Sequence, residues 1–538
     1  MRDVVSRRSL LKSALGAAAG AFLFAPPASV VAQTRWSAYP FQLGVASGDP
    51  SVDGFVIWTR LAPDPYDATL LGRVAYEVVF EIAEDREFKE IRKRGLALAL
   101  PHLAHTVRIE VSGLEPGREY FYRFHAGREE SPVGRAITCP GQGQSPPLRF
   151  AITSCAHYEQ GFFSAYRHLA AEQPNLIFAL GDYIYESSWG WRRVRAFDVS
   201  EARSLTDYRH RYAQYRLDPD LQAAHRVCPW VFTWDDHEVD NDYSGVTSED
   251  AACGRNLERD AFVERRAAAY QAYFEHLPIR ASRLRPNGSL RVNGSVSWGD
   301  LARFIILDNR QFRSPQACAS PATLQSCDTD RRIGLTTGGG EAISPLDPAC
   351  KAALDDPKHS MLGTEQEAWL DREFSSVREQ WTVLAQSLAF ADIRDGTLER
   401  PRVFSDTWGG YPRARERLLA SAAQRRLKNL VVTSGDIHSF WANEIPGRGS
   451  RPAGTEFITS SIATQTNQRP NAMSPLNPHI RYHEGAHSGY VRFDLNMERL
   501  QADFVGVENI RDPASGRLSL ASFEVVAGAP QLRRLDEG

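Results

Sequence analysis

Leu148-Arg149-Phe150-Ala151-Ile152-Thr153 runs without a break into Ser154-Cys155-Ala156-His157. The first six residues read as an apolar strand, and the next four bring a thiol and an imidazole. The same join recurs three times. Asn175-Leu176-Ile177-Phe178-Ala179-Leu180 leads into Gly181-Asp182-Tyr183-Ile184-Tyr185, and Trp230-Val231-Phe232-Thr233-Trp234 leads into Asp235-Asp236-His237-Glu238. Leu430-Val431-Val432-Thr433 stands one serine ahead of Gly435-Asp436-Ile437-His438. Helical stretches intervene at residues 161–172, 258–275 and 365–374, and this change from strand to helix is the pattern of an α/β layer architecture. Open α/β sheets place ligands in the crevice at the carboxyl ends of their strands. Four polar clusters at four strand ends are therefore expected to converge on one site.

Outward from this core, residues 41–139 read as a small antiparallel β-sandwich. Gly54-Phe55-Val56-Ile57-Trp58-Thr59, Ala75-Tyr76-Glu77-Val78-Val79-Phe80-Glu81 and Thr106-Val107-Arg108-Ile109-Glu110-Val111 supply strand patterns, and Gly113-Leu114-Glu115-Pro116-Gly117 supplies a turn. Residues 140–147 form a Gly/Gln/Ser/Pro linker, 148–510 the α/β domain and 511–538 a C-terminal extension. Residues 314–359 are poor in strand or helix signal and read as a surface insert. At the N-terminus, residues 1–32 combine Arg7-Arg8, an Ala/Gly-rich apolar stretch and Val30-Val31-Ala32. That is the make-up of a twin-arginine export signal, a route that carries folded proteins and so permits a cofactor to be loaded first. The expected location is periplasmic or secreted.

The 538 residues are 42% hydrophobic and 24% charged, with a formal net charge of -3, so the strong positive field of a nucleic-acid binder is missing. No apolar run after the N-terminus is long enough for a transmembrane anchor in the mature protein. Seven cysteines are present, and in an oxidising compartment an odd count leaves at least one thiol over. Cys318, Cys327 and Cys350 fall in the insert, where disulfide staples would replace missing core.

The four clusters together offer thiolate, carboxylate, phenolate and imidazole. Oxygen donors favour hard cations, and thiolate and imidazole favour transition metals, so the mixed set points to more than one metal around a bridging carboxylate. Two metals about 3.5–4 Å apart clamp a phosphoryl group during in-line displacement. Each residue alone also has an ordinary reading. Gly181-Asp182 fits a turn, Tyr185 a packing residue, Cys155 a small buried hydrophobe or half a disulfide, and Asp235-Asp236-His237 a helix cap. Asp436 and His438, two apart on an extended segment, point the same way. The force of the set lies in its repetition at four strand ends.

These clusters resemble, in identity and order, the PhoD-type alkaline phosphatases/phosphodiesterases, a branch of the calcineurin-like metallophosphoesterases related to the purple acid phosphatases. Gly44-Val45-Ala46-Ser47-Gly48-Asp49-Pro50, Trp58-Thr59-Arg60-Leu61, Leu307-Asp308-Asn309-Arg310-Gln311-Phe312-Arg313, Leu362-Gly363-Thr364-Glu365-Gln366-Glu367-Ala368-Trp369-Leu370 and Gly410-Tyr411-Pro412 extend the likeness over residues 41–506. The resemblance implies a sandwich of two mixed sheets flanked by helices, preceded by a fibronectin-III-like β-sandwich. It implies one ferric ion held by Cys155, Asp182, Tyr185 and His438, with Asp182 bridging. Asp236 and Asp436 would hold calcium, two Ca2+ in all, standing where relatives with softer second metals have Asn or His. Asp235 and Asn241 are reserves. His237 would contact phosphate or protonate the leaving oxygen, with Glu238 orienting its ring. Arg310 and Arg313 are expected to pair with Asp308 rather than bind substrate.

The implied activity is hydrolysis of small-molecule or lipid phosphate esters by a metal-bound hydroxide or oxide. No Gly-x-Ser-x-Gly elbow supports a serine hydrolase. Two rival readings remain: a phosphodiesterase of phospholipase D type, and a secreted binding protein with an inert α/β part.

Overall fold

The chain divides into two units. The first comprises Met1–Cys139, Arg203–Val231 and Arg266–Arg291, and the other comprises Pro140–Ala202, Phe232–Arg265 and Val292–Gly538. The computed structural model describes residues 35–67, 70–190, 192–248, 259–285, 289–317, 342–447, 451–469 and 472–536. The export signal expected at 1–32, together with Cys253, Cys318 and Cys327, lies outside the described residues.

In the first unit, Gly54–Arg60 pairs antiparallel with Val45–Ser51 and with Thr106–Val111. A second antiparallel sheet centres on Tyr76–Ala83, between Ile91–Ala99 and Glu119–Ala126. Burial alternates along Thr106–Val111 and Glu119–Ala126, as the two-residue period of a strand predicts, while Val45–Ser51 and Gly54–Arg60 are buried on both faces. Phe55, Ile57, Val107 and Ile109 from one sheet and Val78, Phe80, Ile82, Tyr122 and Phe124 from the other share one buried cluster. This is a sandwich whose pairings are antiparallel except that Ser47 and Gly48 also pair in parallel with Pro229 and Trp230. The helices Leu205–Arg216 and Pro219–Val227 were not visible in the sequence pattern. Polar and aromatic residues crowd the first of them, and its clearest signal is the capping box of Ser204 with Asp207.

The second unit is also a sandwich, of two mixed sheets. In one, Leu148–Thr153 lies parallel to Leu176–Leu180 and antiparallel to Gly489–Leu495, which continues through Arg499–Val507, Arg517–Val526 and Ala529–Arg534. Residues 517–534 thus contribute two more strands, Ala529–Arg534 at the edge and Arg517–Val526 inside it, with Ala521, Phe523 and Val525 buried at alternate positions. In the other sheet, Ala302–Ile306, Trp381–Ala385, Leu430–Ser434 and Gly454–Ile458 run parallel, flanked by antiparallel Gly294–Trp298 and Phe440–Ile445. Aromatic rings fill the space between the sheets. Phe150 stacks on Phe493 at 4.6 Å and meets Phe304 edge-on at 5.1 Å, while Phe457 meets Phe493 at 5.4 Å. On the outer face of the second sheet, Ile305, Leu384 and Val432 pack against Leu370 and Phe374 of helix Gly363–Ser376 and Leu418 of helix Pro412–Gln424.

Within the expected insert, the described residues include the short strand Ala342–Ile343, the helix Pro348–Leu354 and a disulfide-bonded Cys350. Cys139, Cys155 and Cys228 are free and buried, in keeping with the odd count, which leaves at least one thiol over.

Two predictions follow from this packing. Phe150→Ala removes the ring shared by both sheets and is expected to cost about 3–5 kcal/mol, read as a lower urea midpoint at unchanged slope. Glu172, at the end of helix Ser164–Ala171, accepts from Arg492 at 2.6 Å and lies 3.0 Å from Arg517. Burial raises its pKa, but these two guanidiniums outweigh burial and hold it below the usual carboxylate value. A carboxylate held low when folded stabilises above its unfolded pKa, and that contribution disappears as pH falls through the folded value. Glu172→Gln should therefore lower the thermal midpoint at pH 7 and narrow its gap to wild type in acid; a gap constant with pH would contradict the assignment.

Candidate metal centre

Backbone conformation brings the four clusters together before any side chain does. Cys155, Asp182, Asp436 and His438 have φ values of 58°, 53°, 68° and 49°. The left-handed region is uncommon for residues with a Cβ and costs of order 1–3 kcal/mol for each. Each of these residues follows a strand of the second unit, where the chain turns sharply instead of extending the sheet. Gly181 makes one turn possible: it has a φ of 100°, and a Cβ there would lie 2.4 Å from Asp235 Cβ. At Gly435 a Cβ would lie 2.4 Å from Ser154 Oγ.

Glu238 ties the loops to one another. Its carboxylate accepts from the backbone N–H groups of Asp182 (3.2 Å), Tyr183 (2.6 Å) and Asp235 (2.8 Å). It does not orient His237, as the sequence had led us to expect. Glu186 does: its Oε2 lies 2.7 Å from His237 Nδ1. Sequence reasoning missed Glu186, although it directly follows the Gly-Asp-x-x-Tyr cluster.

The expected donors then meet. Cys155 Sγ lies 3.4 Å from Asp182 Oδ2, and the Tyr185 hydroxyl donates to that oxygen at 2.9 Å. The same hydroxyl lies 3.3 Å from His438 Nε2. Ligand atoms of Cys155, Asp182 and His438 fall within 4.8 Å of one another, as do those of Asp182, Asp236 and His237. Asp182 belongs to both groups, the place a bridge would take. Asp236 accepts from the backbone N–H groups of His237 (3.0 Å) and Asp242 (2.7 Å). Asp436 is buried but belongs to neither group. Of the reserves, Asn241 donates its backbone N–H to Glu186, and Asp235 is gripped by Arg310.

Arg310 departs from expectation. Its guanidinium pairs with Asp235 and Asp406 and lies 3.6 Å from Asp236, all of it buried. Arg313 also pairs with Asp406, at 2.6 Å. Asp308 instead accepts the backbone N–H groups of Arg310 and Gln311 and the Trp234 indole N–H. Both arginines are structural cations in the wall of the site.

The electrostatics fit a cation. Asp182 Oδ1, Asp235 Oδ2 and Asp436 Oδ2 are buried without a hydrogen-bond partner, which is costly for carboxylates. Burial, reinforced for the most part by neighbouring carboxylates, pushes the Asp182 and Asp436 carboxyls well above their usual range. Burial raises Asp235 to about 6 despite Arg310, and Glu238 to about 7. Burial and then Asp182 drive up the Cys155 thiol and the Tyr185 phenol. His438 is pushed down to about 3 by burial and by His237, so its ring is neutral, as ligation requires. Asp236 is held low, where Arg310 and His237 overcome burial, and Glu186 is lowered too, where His237 overcomes burial. Thiol, phenol, imidazole and several carboxylates converging on a buried, anion-rich site match the donor chemistry of a mixed transition-metal and hard-cation site.

Two mixed sheets with such donors at their strand ends define a calcineurin-like metallophosphoesterase. The model of the PhoD-like phosphatase family matches residues 150–504, and that of the PhoD-like phosphatase N-terminal domain matches residues 26–140. Alkaline phosphatase D of Bacillus subtilis (strain 168) is 40% identical over 524 residues, covering 94% of this chain and 84% of that protein. A solved structure of PhoD is similar at a TM-score of 0.84 and 38% identity, over 93% of each chain. Purple acid phosphatase PPD1 from yellow lupin (Lupinus luteus) seeds shares the fold, at a TM-score of 0.55 and 12% identity over 90% of this chain and 74% of that one. The chain belongs to the PhoD-like phosphatase family, and it is a phosphoric ester hydrolase.

Gly181→Ala should fold less stably by more than about 1 kcal/mol and bind metal more weakly, because the added methyl displaces Asp235 and the Asp182 turn with it. Thermal midpoint and metal content of the purified variant test this together.

Proposed function

We propose that this chain is an exported alkaline phosphatase/phosphodiesterase whose site takes one ferric ion and two calcium ions. The observation that carries the reading is the convergence of Cys155, Asp182, Tyr185 and His438 from three strand ends. These four residues would hold iron, with Asp182 bridging, and Asp236 and Asp436 would hold calcium. Bound cations supply Lewis acidity, neutralising charge on the phosphoryl oxygens and acidifying water.

The protein's own groups supply the rest. His237, beside this site and only 7% exposed, gives its proton to the leaving oxygen. Arg310 keeps Asp235 and Asp236 charged and in place without reaching substrate. Burial of the whole set limits competing water and strengthens each electrostatic contact. Substrates are small-molecule or lipid phosphate esters, and the diester activity includes phospholipase D-type cleavage as a second reading. Among the described residues no helix is long and apolar enough to cross a membrane. The Arg7-Arg8 leader supports passage through the twin-arginine machinery to a periplasmic or secreted location. An inert binding protein would have no reason to keep this costly set of buried donors.

Metal-replete protein should show a visible charge-transfer band, with Tyr185→Phe removing most of it and Cys155→Ser shifting it. Colourless protein with full iron content would take both residues off the ligand set. Relative rates on aryl phosphate and bis-aryl phosphate decide between monoester and diester preference, and chelation should abolish both.

A further inference from the structure

Arg216, the last residue of helix Leu205–Arg216, is a charge that the first unit buries without matching it. Its side chain is fully buried, and none of its three guanidinium nitrogens has a hydrogen-bond partner among the described residues. The guanidinium carbon stands 4.4 Å from the centre of the Trp58 ring. That ring face lends negative potential but no lone pair to the N–H groups. The surroundings add to the excess of positive charge. Arg60 reaches His276 at 3.2 Å, and burial, then Arg60, with Arg209 and Arg216 adding to it, pushes that histidine well below its usual range. Burial and then Arg216 do the same to His225. Both rings are therefore neutral, and both sit in a positive field. Glu275 attracts Arg60, but its two oxygens are held by Arg209 at 2.6 and 2.7 Å. Tyr122 is close enough for its phenol to feel Arg216. Burial raises that phenol despite Ser47 and Arg216, so it stays an O–H donor, and its hydroxyl has no partner of good geometry.

We infer that the Arg216 guanidinium holds a small inorganic anion, chloride or another halide, as a built-in part of the first unit. A guanidinium keeps its proton inside proteins, so it does not escape the cost of burial by becoming neutral. Bridging water satisfies N–H groups but leaves the net charge in place, whereas an anion answers both needs. The enclosure sets the class of ligand. Arg216, Trp58 and Tyr122 are all fully buried, which selects a compact ion over an organic one, and one negative charge balances one guanidinium. The site concerns the first unit alone and is independent of the reading of the metal centre.

A ligand that binds only the folded state raises stability with its own concentration, and that linkage supplies the test. Wild-type and Arg216→Met holoproteins are to be melted in sodium chloride, sodium bromide and sodium gluconate at one ionic strength, which holds screening constant. Salts also act on the whole surface, so the readout is the halide gain of wild type over that of the variant. Methionine keeps an apolar stem beside Trp58 and removes the charge. The wild-type gain in chloride or bromide should exceed that of Arg216→Met by about 2–4 °C and grow with the logarithm of halide concentration. Crystals grown in bromide should show an anomalous peak beside the Arg216 guanidinium. Equal halide gains in the two proteins, or a bromide-grown crystal with water alone at the guanidinium, would overturn the proposal. Should Arg216→Met not fold, the bromide crystal of the wild-type protein decides by itself.

Discussion

Desolvation of acids is the constraint around which the second unit is built. Asp182, Asp235, Asp236, Glu238 and Asp436 are all buried at the carboxyl ends of strands, and only part of their charge is met by Arg310 and His237. In such a pocket each carboxylate raises the pKa of the next, and unpartnered oxygens remain on three of them. A folded chain keeps such an arrangement when something offsets its cost, and bound cations answer a deficit of positive charge. The two arginines in the wall act in the same direction. They are paired with Asp406 and Asp235 and neutralise part of the buried negative charge.

The scaffold meets that electrostatic load with rigidity. Aromatic rings from both sheets close the core beneath the site, and helices cover the outer face of the second sheet. Above this floor, Glu238 joins the Asp182 turn to the Asp235 turn through three backbone N–H groups, and glycines at 181 and 435 let neighbouring loops approach closer than any side chain allows. The donors are therefore placed by backbone, and their side chains have little freedom left to lose when a ligand arrives.

Much of this was legible in the sequence, and the reasons differ by feature. The four apolar strands and the polar residues after them were readable because strand patterning and strand-end chemistry are both local, and the structure places Cys155, Asp182, Tyr185 and His438 together as that pattern foretold. What escaped was long-range pairing. Nothing local says that Arg310 reaches 75 residues back to Asp235 rather than two to Asp308, or that Glu186 and not the adjacent Glu238 holds His237. Helix Leu205–Arg216 was missed because its burial has no clear apolar stripe, with Arg211, Gln214 and Arg216 buried alongside tyrosines. The fate of Cys139 and Cys228 was equally hidden, since spacing does not reveal whether a partner stands opposite.

The left-handed turns also bear on how such a centre changes over evolutionary time. Positions 182, 436 and 438 demand a backbone that β-branched and bulky residues resist, and that Asp, Asn and His tolerate better than most. Those three residue types are also hard, neutral and borderline metal donors respectively. Drift at these turns is thus channelled toward exchanges that leave the fold standing while altering which cation the pocket prefers, so new metal preferences lie within reach of single substitutions.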